Sequence, residues 1–270
     1  MVEIIVVTNR KGGVGKSTIA THLASGLTLA GHRTALVDTD PQGHSAVFFG
    51  MVKEDGLYRV LCDEDTELSD VVRRVDPVRF SPKSNQATAP LYLLPSNKTT
   101  ARIPLDNNNP FAFRQMLDAM SEWLSLDYIV VDTGPTASLF DGSVNFAANW
   151  FLYVTELAHM SFDGLSESIR EMQTLNQKNN KYRQWSTEIL GIIPNKARYK
   201  TVSQRNKNTE LAARPELKGL IWDPILLGTN WEEATSYGQM MYSLLPDGKE
   251  AAAAWRMVQR VIEGTGAHGR

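Results

Sequence analysis

Near its start the chain reads Lys11-Gly12-Gly13-Val14-Gly15-Lys16-Ser17-Thr18, and few folds accommodate that octet. Its glycines let the backbone double back, so that successive N–H groups from Gly12 to Thr18 point into one small volume. Ahead of it, Ile4-Ile5-Val6-Val7-Thr8 has the continuous apolar run of a strand buried on both faces. Behind it, from Ser17 to Ala30, Ile19, Leu23, Leu27 and Ala30 recur at helical spacing. Strand, glycine loop and helix in that order make a phosphate-binding loop, with the anion at the positive end of the helix dipole. Lys16 then supplies a point charge for the β- and γ-phosphates of ATP, and Ser17 a hydroxyl for Mg²⁺. Such a loop fits only an architecture in which strands feed helices.

The rest of the chain agrees. Short apolar runs at Thr34–Asp38, Leu91–Leu94, Tyr128–Asp132, Phe151–Val154, Glu188–Ile193 and Leu220–Trp222 read as strands. Helical patterns lie between them near 111–125, 161–178, 201–213 and 248–263. This alternation predicts an α/β fold: a doubly wound, mostly parallel sheet with helices on both faces and ligands at the carboxyl ends of the strands. Residues 81–90 and 106–110 read as surface loops rather than interdomain linkers. With 270 residues, 42% of them hydrophobic, a single domain over 1–270 is expected.

Two further strand ends carry acids. Val37-Asp38-Thr39-Asp40-Pro41-Gln42-Gly43 leaves the second strand with two carboxylates on the side of the phosphate loop, where they can act on Mg²⁺ through water and on an attacking water. Ile129-Val130-Val131-Asp132-Thr133-Gly134-Pro135 ends another strand in an acid that completes the surroundings of Mg²⁺ beside Ser17. Metal-site candidates are therefore Ser17, Asp38 and Asp132.

These motifs together resemble the deviant Walker A ATPases of the ParA/MinD group. Lys11 matches the first lysine of the KGGxGK[ST] loop, residues 38–43 the DxDPQG segment, and Asp132 with Pro135 the Asp-x-x-Pro strand end. Gly134 stands where many ParA sequences carry proline. Glu233-Ala234-Thr235-Ser236-Tyr237-Gly238, then Tyr242, Pro246 and the alanines 251–254, are similar to the ParA C-terminal pattern. The resemblance spans nearly the whole chain and is loosest over 51–90. It implies that Lys11 crosses an ATP-sandwich homodimer to the partner's phosphates, that Asp40 positions the hydrolytic water, and that Asp38 sits behind the metal. It also implies that Asn195 meets the adenine edge, although an asparagine there equally suits a turn. Pro224 would close over the base. The chain begins directly at its first strand, so a DNA-binding helix-turn-helix ahead of it, and autorepression through one, are not expected.

Composition narrows the relatives. Cys62 is the only cysteine, which excludes an iron–sulfur carrier and an internal disulfide. The last ten residues, Val261–Arg270, lack the basic amphipathic pattern of a membrane-docking helix, and no apolar run spans a bilayer. A net charge of −2 confines nucleic-acid binding to a local patch. Lys196, Arg198, Lys200, Arg205, Lys207, Arg214 and Lys218, with Arg256 and Arg260 one helical turn apart, supply candidates for contacts to nonspecific double-stranded DNA. The expectation is a cytoplasmic, nucleoid-associated partition ATPase whose hydrolysis a ParB-like adaptor stimulates. A MinD-like positioning ATPase or an ATP-dependent metabolic enzyme of the same fold is the alternative.

Overall fold

The computed structural model describes residues 2–82, 87–135, 139–156, 165–166, 168–170, 172–174, 177, 182, 185–198, 209, 214 and 217–266. Its centre is a seven-stranded sheet in the order β3-β4-β2-β5-β1-β6-β7. The strands are β1 (Glu3–Thr8), β2 (Thr34–Asp38), β3 (Arg73–Arg74), β4 (Leu91–Leu94), β5 (Tyr128–Asp132), β6 (Trp150–Glu156) and β7 (Glu188–Asn195). Every pairing is parallel except β3 on β4. β2 and β5 are buried at every residue, as their unbroken apolar runs require of strands covered on both faces.

One face is covered by α1 (Lys16–Leu29) and α10 (Lys249–Thr265). Ile19, Leu23 and Leu27 of α1 join Ala254, Val258 and Val261 of α10 in one apolar cluster. Gly26 makes that approach possible, because a Cβ there would collide with Val258 and the Tyr242 hydroxyl. The other face is covered by α6 (Ala112–Leu124) and α7 (Leu139–Ala147). Phe113, Met116, Leu117 and Met120 recur at helical spacing on α6 and pack with Val144 of α7. Shorter helices among the described residues include α2 (His44–Phe48), α3 (Gly56–Cys62), α4 (Leu68–Val71), α5 (Ile103–Asp106), α8 (Thr229–Ser236) and α9 (Met241–Leu244).

His22 locks α1 to the C-terminal part. Its Nδ1 faces the Thr18 carbonyl at 2.8 Å and its Nε2 accepts the Met241 N–H at 3.1 Å. Complete burial pushes this imidazole down to about 4, so it is neutral at physiological pH.

The expected fold class is the observed one. Leu220–Trp222 departs from its reading as a full strand. That segment runs alongside β7 without forming a strand, with isolated bridges at Ile192–Ile221 and, past the end of β7, at Ala197–Leu226. All of the helix expected over 201–213 except Thr209, and half of that over 161–178, lie outside the described residues.

Candidate functional site

Five strand ends converge at the carboxyl edge of the sheet. Register places Val7 and Asp38 beside Asp132, Thr8 beside Tyr153, and Glu156 beside Asn195. The phosphate loop leaves β1 at the middle of this edge. Gly13 and Gly15 take positive φ, 73° and 94°. No side chain caps α1, so its first N–H groups open onto the loop. A cavity of about 540 Å³ stands over them, lined by residues from Gly13 and Gly15–Ile19, and by Asp40, Thr133, Asn195 and the 225–228 segment.

Lys16 is buried at the mouth of α1, and its Nζ donates to the Lys11 carbonyl at 3.3 Å. Burial lowers its pKa, while Asp132 and Asp40 hold the proton on. Asp40 lines the cavity and accepts from the Gln42 N–H at 2.8 Å. A Cβ on Gly134 would sit 3.3 Å from an Asp40 carboxylate oxygen, so the 40s and 130s loops touch where a terminal phosphate would lie.

The two candidate metal carboxylates stand in different surroundings. Asp38 is fully buried, and its oxygens accept from the backbone N–H groups of Asp40 and Ser45, each at 3.0 Å. Those bonds make it the hub that shapes the 40s loop; burial and then the nearby Asp132 push its carboxyl well above the usual range. Asp132 Oδ2 accepts from Ser45 Oγ at 2.9 Å, whereas its Oδ1 is buried without a hydrogen-bond partner. Such an orphaned acceptor suits a hard cation with oxygen ligands. Among the described residues no three His, Cys, Asp or Glu side chains cluster as a metal site. Mg²⁺ here would therefore take Ser17 and Asp132 from the protein and its remaining ligands from phosphate and water.

Burial pushes Asp132 up to about 6, against the pull of the Ser17 and Ser45 hydroxyls. An acid raised on folding favours the protonated state, so its charged form costs stability at neutral pH, and that cost vanishes as the pH falls below the ordinary value near 3.8. Asp132→Asn is expected to stabilise the nucleotide-free protein by about 1–3 kcal/mol at pH 7.5 and by almost nothing at pH 4. Urea unfolding at both pH values measures this; a less stable variant at pH 7.5 would contradict it.

Several sequence candidates stand elsewhere than expected. The Asn195 side-chain N–H donates to the Val14 carbonyl at 2.8 Å, and a Cβ on Gly15 would strike that amide, so Asn195 props the loop from below. Asn195 also lines the cavity, together with the apolar side chains of Ile225, Leu226, Leu227, Trp231 and Phe48. Pro224 lines a separate small hollow with Asp223, Arg256 and Arg260 rather than the cavity over the phosphate loop. Lys196, expected on DNA, reaches the phosphate loop and donates to the Gly13 carbonyl at 2.5 Å. Lys11 stands on the rim, its Nζ 3.2 Å from Glu156. Arg256 and Arg260 are exposed on α10, with Arg260 over the Trp222 ring; Arg198 and Lys218 are exposed, and Arg214 donates to Ser166 Oγ at 2.9 Å. Lys200, Arg205 and Lys207 lie outside the described residues.

Residues that the sequence reading missed include Ser45, which bridges Asp38 and Asp132, and Asn9. Asn9 accepts from the Lys11 N–H at 2.9 Å and donates to the Val154 carbonyl at 2.6 Å, fixing the start of the loop to β6. An asparagine one residue past a strand and two before the loop lysine was the available signal for Asn9. None marked Ser45.

The family model AAA_31, described as an AAA domain, matches residues 2–184. The sporulation initiation inhibitor Soj of Bacillus subtilis is 28% identical over 186 residues, covering 67% of this chain and 68% of Soj. The chain belongs to the ParA family. The chromosome-partitioning ATPase Soj of Thermus thermophilus is 24% identical over 261 residues, covering 97% of this chain and 96% of its own. Among solved structures, a Cyanothece McdA variant in complex with ATP superposes with a TM-score of 0.75 at 21% identity, over 98% of this chain and 96% of that one. That likeness concerns the fold, an α/β Walker architecture.

Proposed function

We propose that this ParA-family chain is an Mg²⁺-dependent ATPase of the partition type. It binds ATP in the cavity above the phosphate loop and pairs as a homodimer through Lys11. In that state it holds nonspecific double-stranded DNA, and a ParB-like adaptor releases it by stimulating hydrolysis. A cytoplasmic, nucleoid-associated location goes with this cycle.

The observation that carries the reading is the double lysine of one loop: Lys16 buried under the cavity and Lys11 out on its rim. One ammonium serves the chain's own phosphates. The other, out on the rim, would meet the phosphates of an approaching second copy. The contact between the 40s and 130s loops at Asp40 and Gly134 gives a γ-phosphate two segments to order at once. The name of the Thermus relative supports the assignment to partition. Among the described residues no helix is long and apolar enough to cross a membrane.

A DNA titration with ATP and with ADP at several salt concentrations tests the cycle. Binding should require ATP and ignore base sequence, and log affinity should fall with log salt at roughly −0.9 per phosphate contacted. Arg256→Ala should flatten that slope by about one or two units in a symmetric dimer. Equal binding with ADP, or a flat salt dependence, would remove DNA from the proposal and favour an ATP-dependent metabolic enzyme on this fold.

A further inference from the structure

The carboxyl end of β6 brings an acid to the phosphate loop that the loop's chemistry does not call for. Glu156 Oε2 lies 3.2 Å from Lys11 Nζ, and its Oε1 lies 3.7 Å from Lys196 Nζ. Lys196 closes the arrangement by donating to the Gly13 carbonyl. Its backbone takes φ 53°, one of two non-glycine residues described with positive φ. A residue with a Cβ adopts that conformation at some strain, and here the turn is what directs its side chain back across the loop. β6 and β7 pair from Glu156 to Asn195, so the two strand ends are neighbours. From them, Asn195 grips Val14 from below and Lys196 grips Gly13 from the rim.

Among the described residues this arrangement sets the Lys11 and Lys196 ammonium groups against the Glu156 carboxylate. Lys11 and Glu156 are only partly exposed on the rim, 44% and 29% at their side chains, so the pair is open to competition from an incoming anion. A lysine on a flexible four-carbon stem samples many positions unless something holds it.

We propose that Glu156 is a positioning residue for Lys11: it keeps the Lys11 ammonium folded onto its own subunit, anchored beside Lys196, until the phosphates of a second copy draw it away. This rests on the reading of Lys11 as the group that crosses between two copies. On it, Glu156 sets the ATP concentration at which two copies pair, because the ion pair must open before the crossing contact forms.

Two measurements on Glu156→Gln test this, with Glu156→Asp as the variant that keeps the charge and thermal melting to establish folding. The first is labelling of the nucleotide-free protein with an N-hydroxysuccinimide ester, read by peptide mass spectrometry. Lys11 should label several-fold faster in Glu156→Gln, with Lys218 unchanged and Glu156→Asp closer to the wild type. Equal Lys11 labelling in wild type and Glu156→Gln overturns the proposal. The second is sedimentation against ATP concentration. Half-maximal pairing should occur at an ATP concentration lower by about threefold or more in Glu156→Gln. An unchanged or raised requirement overturns the proposal, since Glu156 would then be neutral or part of the dimer contact. A wild type that never pairs refutes the homodimer, not the ion pair, and the labelling result then decides the role of Glu156.

Discussion

Lys16→Ala should lower the affinity for Mg²⁺-ATP by at least a hundredfold. The ammonium is already desolvated at the start of α1, held by the Lys11 carbonyl and by the field of Asp132 and Asp40. Binding phosphate there requires no further ordering of a flexible side chain. A charge-assisted hydrogen bond in such a setting contributes about 1.5–3 kcal/mol, and Lys16 would make more than one, to the β- and γ-phosphates. The loss is therefore about 3 kcal/mol or more, which is two decades in affinity. Calorimetric titration of the variant measures it. Affinity within tenfold of the wild type would mean that phosphate sits elsewhere, and the assignment of the cavity would fall with it.

Asp40→Ala should separate binding from chemistry. The carboxylate is 7% exposed, tied to the Gln42 N–H, and aimed into the cavity beside Gly134. A negative group there repels phosphate and orients water, so its removal should leave ATP affinity intact or slightly improved. Hydrolysis should fall by about a hundredfold or more, the usual worth of a positioned base or water-orienting group. Single-turnover hydrolysis with DNA and partner present reads the effect. Unchanged turnover would move the catalytic role to another group, and lost ATP binding would make Asp40 a structural part of the 40s loop, as Asp38 is.

The parts legible in the sequence are those written in short-range periodicity. β2, β4 and β5 have the bounds expected of them, because each is an apolar run closed by a turn or an acid. α6 shows its apolar stripe plainly. α7 was missed because Gly142 and Asp141 interrupt its pattern, and its helicity comes from packing against α6. β3 is two residues long and owes its existence to β4, which no local rule foretells. At the site the same division holds. Lys16 and Asp40 are named by motifs. The places of Glu156 and Ser45, and the bond from Asn195 to Val14, depend on which strand ends become neighbours, a property of the sheet order rather than of any segment. Lys196 shows the limit most clearly: in sequence it opens a basic cluster, and in space a left-handed turn sends it back to the loop.

The two margins of the sheet bear on how such a chain can assemble. At one, β3 is a two-residue antiparallel strand of arginines. At the other, the 220–227 segment runs along β7 and the residues just past it, the N–H groups of Trp222, Ile225 and Leu227 donating to the carbonyls of Ile192, Pro194 and Ala197. One margin is short and charged, the other already occupied, so neither offers a long row of free backbone groups for a foreign strand. Copies of this chain cannot readily polymerise by lengthening the sheet. Contacts between copies would then fall to the loop-bearing end and the helical flanks, where, on the proposed cycle, association would answer to what the cavity holds and be undone when its contents change.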